Sequence, residues 1–403
     1  MIEFAATFTD ARSAPRAGPA RASDRAGFAC RRGAVLLFVL LPCLAAASLH
    51  AHAQPVAGTD VPVQESVGDA PPVGIDIGQG ITLSGYATIQ LLAPLGSGIA
   101  PPAAAVSSVD DAQYSRRTRL DLSHLSGIAW WKPAPPWKLL AEVDLQDLVQ
   151  LPDHEDNEDG SGSTPYVSLE RLYADYQVSD ALSVRAGKFL TPIGRWNQEH
   201  SDPQVWTVLR PLISQSAFPT NVTGLMLFGS LPIGSQWIDY QGYASNGGEW
   251  RSSPRVHPFD SAVGGRIATT LDPHLQVGLS LSRFSQSDFP QSEFHLSGVD
   301  ATWSWHRAEI SAEGVKRHAG SGTAGEERGW FLQAAVPVAE RWWLTSRVEA
   351  YKRAIDTSVH RSTLFGLVYK SGSHWVFKAE WVDPAPDAVG LPAGFLSSVT
   401  LAY

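Results

Sequence analysis

The chain has 403 residues, of which 44% are hydrophobic, 18% are charged and 14 are tryptophan, and 31 basic against 40 acidic side chains give a formal charge of −9. That balance, with no basic stripe anywhere, excludes a nucleic-acid partner. After the N-terminal apolar run, no stretch reaches the roughly eighteen consecutive apolar residues a membrane helix needs. A helical membrane protein is therefore excluded, while strands that alternate every second residue remain open.

The N-terminus reads as an export address. Arg31 and Arg32 precede an apolar run over 34–49 that Pro42 interrupts, and Ala51-His52-Ala53 closes it as a small-x-small cleavage site. Residues 1–53 are expected to be a signal peptide with an Ala/Arg-rich upstream extension, cleaved after Ala53. Both cysteines, Cys30 and Cys43, precede that point, so the mature chain carries no thiol that an oxidising compartment might misbridge. Cleavage removes six basic and three acidic residues, leaving 31 − 6 = 25 against 40 − 3 = 37, or −12. Residues 54–80 are rich in Pro, Gly and Ala without a period, and are expected to form a flexible periplasmic lead-in.

From residue 81 onward, alternation predicts strands at Ile81–Leu92, Tyr114–Trp131, Trp137–Leu151, Tyr166–Val178, Leu182–Phe189, Asn221–Leu231, Trp237–Ser245 and Ser261–Leu271. Further strands follow at His274–Ser285, Glu293–Trp305, Arg307–Lys316, Arg328–Val338, Trp342–Arg353, Arg361–Lys370, His374–Asp383 and Phe395–Tyr403. Short links such as Asp272-Pro273 and Ser371-Gly372-Ser373 alternate with long polar ones. About sixteen strands in that rhythm imply an all-β fold over 81–403. It is a transmembrane up-and-down antiparallel β-barrel with long extracellular loops, short periplasmic turns and both ends on one rim.

Alternation also assigns faces. Phe395, Val399, Leu401 and Tyr403 oppose Ser398 and Thr400, and Leu275, Val277, Leu279 and Leu281 interleave with Gln276, Gly278, Ser280 and Ser282. The apolar set suits lipid and the polar set a wet interior. A sandwich would bury its apolar face on a second sheet, whereas a closed barrel also removes sheet edges. Trp130, Trp131, Trp137, Trp237, Trp303, Trp305, Trp342, Trp343 and Trp375 lie near short turns, where an interfacial aromatic girdle belongs.

With the faces assigned, Arg117, Arg119 and Asp121 fall on the polar side, opposite Glu142, Asp144 and Gln146 on the next strand. Arg171, Asp175, Arg185, Arg266, Glu309, Glu313, Arg347, Glu349, Lys378 and Glu380 join them. Opposite charges on neighbouring strands stiffen a wall and also set a transverse field on a solute; the pattern alone leaves both roles open. Lys188 and Arg283 stand out as outward charges, marking a protomer interface or the rim. The longest link, Thr191–Thr220, holds Arg195, Trp196, His200, Trp206 and Arg210 among four prolines. A loop of that length and aromatic content is expected to fold inward as a constriction, with Arg195 and Arg210 in it.

The run Arg171-Leu172-Tyr173-Ala174-Asp175-Tyr176, then Leu182 to Phe189, then Thr191-Pro192-Ile193-Gly194 resembles a segment of Gram-negative outer-membrane porins, closest to the phosphate-selective porin O/P-like family. The resemblance covers roughly fifty residues and implies a sixteen-stranded trimeric barrel that passes small anions such as phosphate, with that segment leading into the constriction loop. The chain departs from the family in lacking a lysine-rich stripe. Leu401-Ala402-Tyr403 resembles the terminal signal read by the barrel assembly machinery. Passive diffusion of small hydrophilic solutes, a homotrimer, and outer-membrane lipid and lipopolysaccharide as surroundings are what the resemblance and the barrel reading imply.

Other chemistry is thin. Glu155, Asn157, Asp159 and Gly160, with Asp153 just before them, echo a calcium loop, but the first position wants Asp and the twelfth, Tyr166, cannot chelate. A solvated acidic loop that bridges lipopolysaccharide through cations is the alternative. No His-x-x-x-His, cysteine pair or Gly-x-Ser-x-Gly occurs, so no metal, cofactor or enzyme activity is expected. Ser123 with His124 is the nearest approach to a barrel-embedded hydrolase, and as strand neighbours they should point apart. A non-conducting adhesin or structural barrel is the other alternative.

Overall fold

The computed structural model describes residues 73–94, 118–151, 165–248, 258–286, 292–321, 325–354, 358–384 and 393–403. A short strand β1 (Ile75–Gly78) is followed by sixteen longer ones: β2 (Ile81–Pro94), β3 (Arg119–Trp131), β4 (Trp137–Leu151), β5 (Tyr166–Gln177), β6 (Ser183–Leu190), β7 (Asn221–Ile233), β8 (Gln236–Ser245) and β9 (Phe259–Asp272). The remainder are β10 (Leu275–Gln286), β11 (Glu293–Trp305), β12 (Ala308–Ser321), β13 (Glu327–Ala339), β14 (Trp342–Lys352), β15 (His360–Ser371), β16 (Trp375–Pro384) and β17 (Gly394–Ala402). From β2 onward each strand pairs antiparallel with the next, and β17 pairs back onto β2 from Phe395↔Ala93 to Ala402↔Tyr86. The sheet is closed, so β2 to β17 leave no lateral edge.

The expected alternation holds with the barrel inside out relative to a soluble protein. Leu279, Leu281, Val299, Leu225 and Leu227 are exposed on the outer surface, Leu281 at 67%. Ser398, Thr400, Glu142, Asp144, Arg171, Arg185 and Glu380 are buried on the inner one. The girdle is partly as expected: Trp131, Trp137, Trp237, Trp342 and Trp375 are exposed at the short-turn rim. Trp130 and Trp343 are buried instead, because each follows or precedes an outward tryptophan on its strand and so faces the interior.

Three local features depart from the simple pattern. Residues 75–78, expected to belong to the aperiodic lead-in, form β1, which pairs with the start of β2 through Ile75↔Leu83 and Asp76↔Thr82. Gln79 and Gly80 both have positive φ, as a two-residue hairpin turn requires. β1 lies on the same edge of β2 as the chain end, where Tyr403 exchanges two backbone hydrogen bonds with Gly85. A Cβ on Gly85 would strike the Tyr403 ring, so that seam needs glycine. Bulges form the second feature: register shifts interrupt β2–β3, β3–β4 and β4–β5, with Asp147 at φ 52°. Finally, Lys188 is buried at 3% rather than projecting outward, next to Gly187 at φ 134°.

Leu279 sits mid-strand in the outward band, paired with Ile267 and Val299. Leu279→Arg is expected to destabilise the barrel by about 2–4 kcal/mol, as measured by denaturant unfolding from lipid vesicles. A change below about 0.5 kcal/mol would show that this band does not meet lipid.

Candidate functional site

Between β6 and β7 the chain runs from Thr191 to Thr220 through the barrel interior. The only helical pieces among the described residues are in it, a 3-10 turn at Trp196–Gln198 and a four-residue helix at Ile213–Ser216. Asn197 ties the two ends together, its Nδ2 donating to the carbonyls of Thr191 at 2.8 Å and Thr220 at 3.0 Å. A segment so placed has few strand partners for its amides and carbonyls, yet buried backbone groups must be paired.

The wall supplies the partners. Glu313 on β12 accepts the amides of Arg195 at 2.8 Å and Trp196 at 2.5 Å. On β16, Glu380 accepts those of Val208 and Leu209, both at 2.8 Å. Glu349 on β14 accepts the amide of Leu212 at 2.8 Å. Cations hold the loop's oxygens: Arg347 donates to the Thr207 hydroxyl and the Leu209 carbonyl at 2.9 Å, and Lys378 donates to the Asp202 carbonyl at 2.7 Å. Gly194 has φ 64°, and a Cβ there would collide with the Glu313 carboxylate, so this turn needs glycine for two reasons.

Apolar contacts complete the seat. Ile193, Leu212, Ile213 and Phe218 pack with wall residues Phe284, Phe294 and Phe331, and Leu209 joins Leu364, Val382 and Leu396. Trp206 lies 5.7 Å from Trp343, and its indole donates to Glu309 at 3.0 Å.

Of the charged residues expected to line the interior, Arg117 lies outside the described residues, as do the calcium-loop positions Asp153, Glu155, Asn157 and Asp159. Those described all face inward but divide into three groups. Arg347, fully buried, and Lys378 are loop anchors. Six other bases and acids belong to wall pairs: Arg119 to Asp121 at 2.6 Å, Arg171 to Glu142 at 2.5 Å, and Arg185 to Asp175 through two bonds at 2.8 and 3.0 Å. Arg266 likewise binds Asp300 bidentately, at 2.5 and 3.0 Å. Asp144 accepts from Gln146 at 2.9 Å. The expected juxtaposition of Arg119 and Asp121 with Glu142 and Asp144 does not occur, since Asp121 is level with Gln150 and Glu142 with Ile128. The turn after Trp131 and the extra residue of β4 at Asp147, opposite Ser123, set that register.

The third group is partly exposed: Arg195, paired with Glu199 at 2.9 Å, and Arg210, 4.9 Å over the Trp196 ring. His200 stacks on Trp196 on the same loop. Burial, helped by Arg210, pushes its pKa down to about 4, so it is neutral at physiological pH. Asp202 answers it across from His124, whose Nδ1 is 3.3 Å away. Burial opposes ionisation of Asp202, but His124 and Lys378 more than offset that and hold its pKa below the ordinary value.

His124 reaches this place because the bulge at Ser123 turns both residues toward the interior, contrary to the expectation that they point apart. The Ser123 hydroxyl donates to Thr88 O at 3.1 Å. That bond leads away from the imidazole, and the pair is not arranged as nucleophile and base.

No family model matches the chain. An uncharacterised protein of Aquifex aeolicus (strain VF5) is 30% identical over 139 residues, which is 30% of this chain and 31% of that protein, so the match spans about a third of its length. Among solved structures, a Salmonella typhi OmpF complex with daunomycin is similar with a TM-score of 0.56 at 10% identity, covering 82% of this chain and 99% of that one. The trimer form of OmpT, an outer membrane protein of Vibrio cholerae, gives 0.50 at 10% identity over 80% and 99%. The chain has the sixteen-stranded porin barrel fold.

Glu313→Ala combined with Glu380→Ala removes the acceptors of four loop amides, each charge-assisted bond being worth about 1.5–3 kcal/mol. Chymotrypsin is expected to cut the variant after Trp196 and Trp206 while leaving the parent protein intact. Equal resistance would mean that the loop does not depend on these carboxylates.

Proposed function

We propose that this chain is an outer-membrane porin, a passive pore for small hydrophilic solutes and ions, small anions such as phosphate among them. It is exported by a signal cleaved after Ala53, inserted by the barrel assembly machinery through its C-terminal strand, surrounded by lipid and lipopolysaccharide, and assembled as a homotrimer. The observation that carries the reading is the pairing of an apolar exterior with an interior crossed by a clasped loop that keeps Arg195, Arg210 and Glu199 partly exposed. A pore needs no reaction, only groups that replace part of a solute's hydration at a narrow point. Mixed charge there sets a field across the solute's path, and the sealed wall pairs hold that geometry rigid. Transport of this kind involves no catalysis, cofactor or metal.

In this reading two residues take an indirect part. Arg347 and Lys378, though inward and cationic, act on the solute only through the loop they hold.

The test is single-channel recording in a planar bilayer under asymmetric salt. The protein is expected to give discrete ohmic steps, and Arg195→Ala or Arg210→Ala to move the zero-current potential toward cations with the strand content unchanged. Absence of steps would overturn the pore reading; unchanged potentials in both variants would remove these residues from ion selection.

A further inference from the structure

The outer surface is not uniform where the strands run into the long loops. On β3, β4 and β5 the outward residues at that rim are apolar, as with Leu120, Val149 and Val167. On β10 to β14 they are basic. Arg283, His295 and His318 stand level with one another across β10, β11 and β12. Lys316, Arg328 and Lys352 form a second row across β12, β13 and β14. Neighbouring strands are about 4.8 Å apart, so five strands spread these bases over about 19 Å. The exposed Leu281, Val299 and Trp330 lie on the same face directly below them.

Like charges directly opposite each other on one face of a sheet destabilise it. Here the repulsion is only partly relieved. Glu293 pairs with Arg283 at 2.5 Å, and Glu326 is shared between Lys316 at 3.1 Å and Arg328 at 3.5 Å. These pairs are solvent-exposed and of the kind that contribute little. His295 and His318 stack at 5.4 Å within the same row.

We propose that this sector of β10 to β14 binds the phosphate groups of lipopolysaccharide in the outer leaflet; the inference rests on the outer-membrane reading above. Basic side chains at the border of an apolar band meet lipid phosphates at headgroup level, where charge-assisted bonds to anionic oxygens supply the missing counter-charge. A second copy of the chain is the poorer occupant, since a two-fold contact would set base against base, and lysine is depleted from protein interfaces. The apolar rim of β3 to β5 is better suited to a neighbouring subunit.

The experiment uses the full refolded chain in detergent, titrated with rough-type lipopolysaccharide, the same lipopolysaccharide after removal of its phosphates, and phosphatidylglycerol. The variant is Arg283→Gln/Lys316→Gln/Arg328→Gln, and Lys132→Gln/Arg341→Gln on the opposite rim is the control. The triple variant is expected to bind phosphorylated lipopolysaccharide roughly a hundredfold more weakly, and the control as tightly as the parent. Parent protein is expected to lose most of its binding at high salt, a readout that stands even if the triple variant does not fold. Equal binding by parent and triple variant, or equal binding of the dephosphorylated form, overturns the proposal. Equally tight phosphatidylglycerol binding overturns the assignment to lipopolysaccharide. Conductance separates this from the pore reading: a triple variant that conducts normally but no longer binds supports the site, and a parent protein that binds but does not conduct fails only as a pore.

Discussion

Backbone amides carried into the middle of a barrel must find hydrogen-bond acceptors there, and in this chain the acceptors are carboxylates of the opposite wall. Glu313, Glu349 and Glu380 on three different strands each receive loop amides. Arg347 and Lys378 hold the intervening carbonyls. An unpaired buried backbone group costs about 1–3 kcal/mol. The loop from Thr191 to Thr220 is therefore seated inside only because the wall is charged where the loop is polar. Conversely, those wall charges are tolerated in the interior because the loop and their neighbours satisfy them. Each side of the contact accounts for the other.

The seating divides labour among the inward charges. Pairs such as Arg185–Asp175 and Arg266–Asp300 lie within the wall and brace it. A second set clasps the loop. What remains partly exposed lies chiefly on the loop itself, as with Arg195 and Arg210. Counting inward arginines therefore overstates the number open to the interior space, because the deepest of them, Arg347, is fully enclosed. The outer surface divides in a comparable way, into a sector with an apolar rim and one whose rim is rich in bases.

Strand order and the inward or outward assignment were legible in the sequence because both are local. A period of two needs only nearest neighbours, and Leu279 with Ser280 or Val399 with Thr400 declares its face without reference to anything distant. The inward loop was legible for a similar reason, since length, proline and tryptophan content are read within one segment. What stayed hidden depends on distant partners or on single-residue insertions. Glu313 and Trp196 are separated by 117 residues, and Val208 and Glu380 by 172, so the clasp leaves no local pattern. The Ser123 bulge reverses a face without changing composition, which is why His124 was expected to point away from Ser123. Trp343 and Lys188 likewise depart from alternation, which is silent about which member of a tryptophan pair turns inward and about a positive-φ glycine such as Gly187 beside Lys188. Gly194 was a usable signal that was passed over: a glycine just inside a long loop marks a close approach, here to Glu313.

The account stands or falls on whether the loop amides are held by the wall. Amide hydrogen exchange of the protein in lipid, resolved to Trp196, Val208, Leu209 and Leu212, addresses this directly. The account predicts exchange at those four positions as slow as in the barrel strands beside them. Exchange at the rate of a solvent-exposed loop would contradict it, whatever the barrel itself is found to conduct.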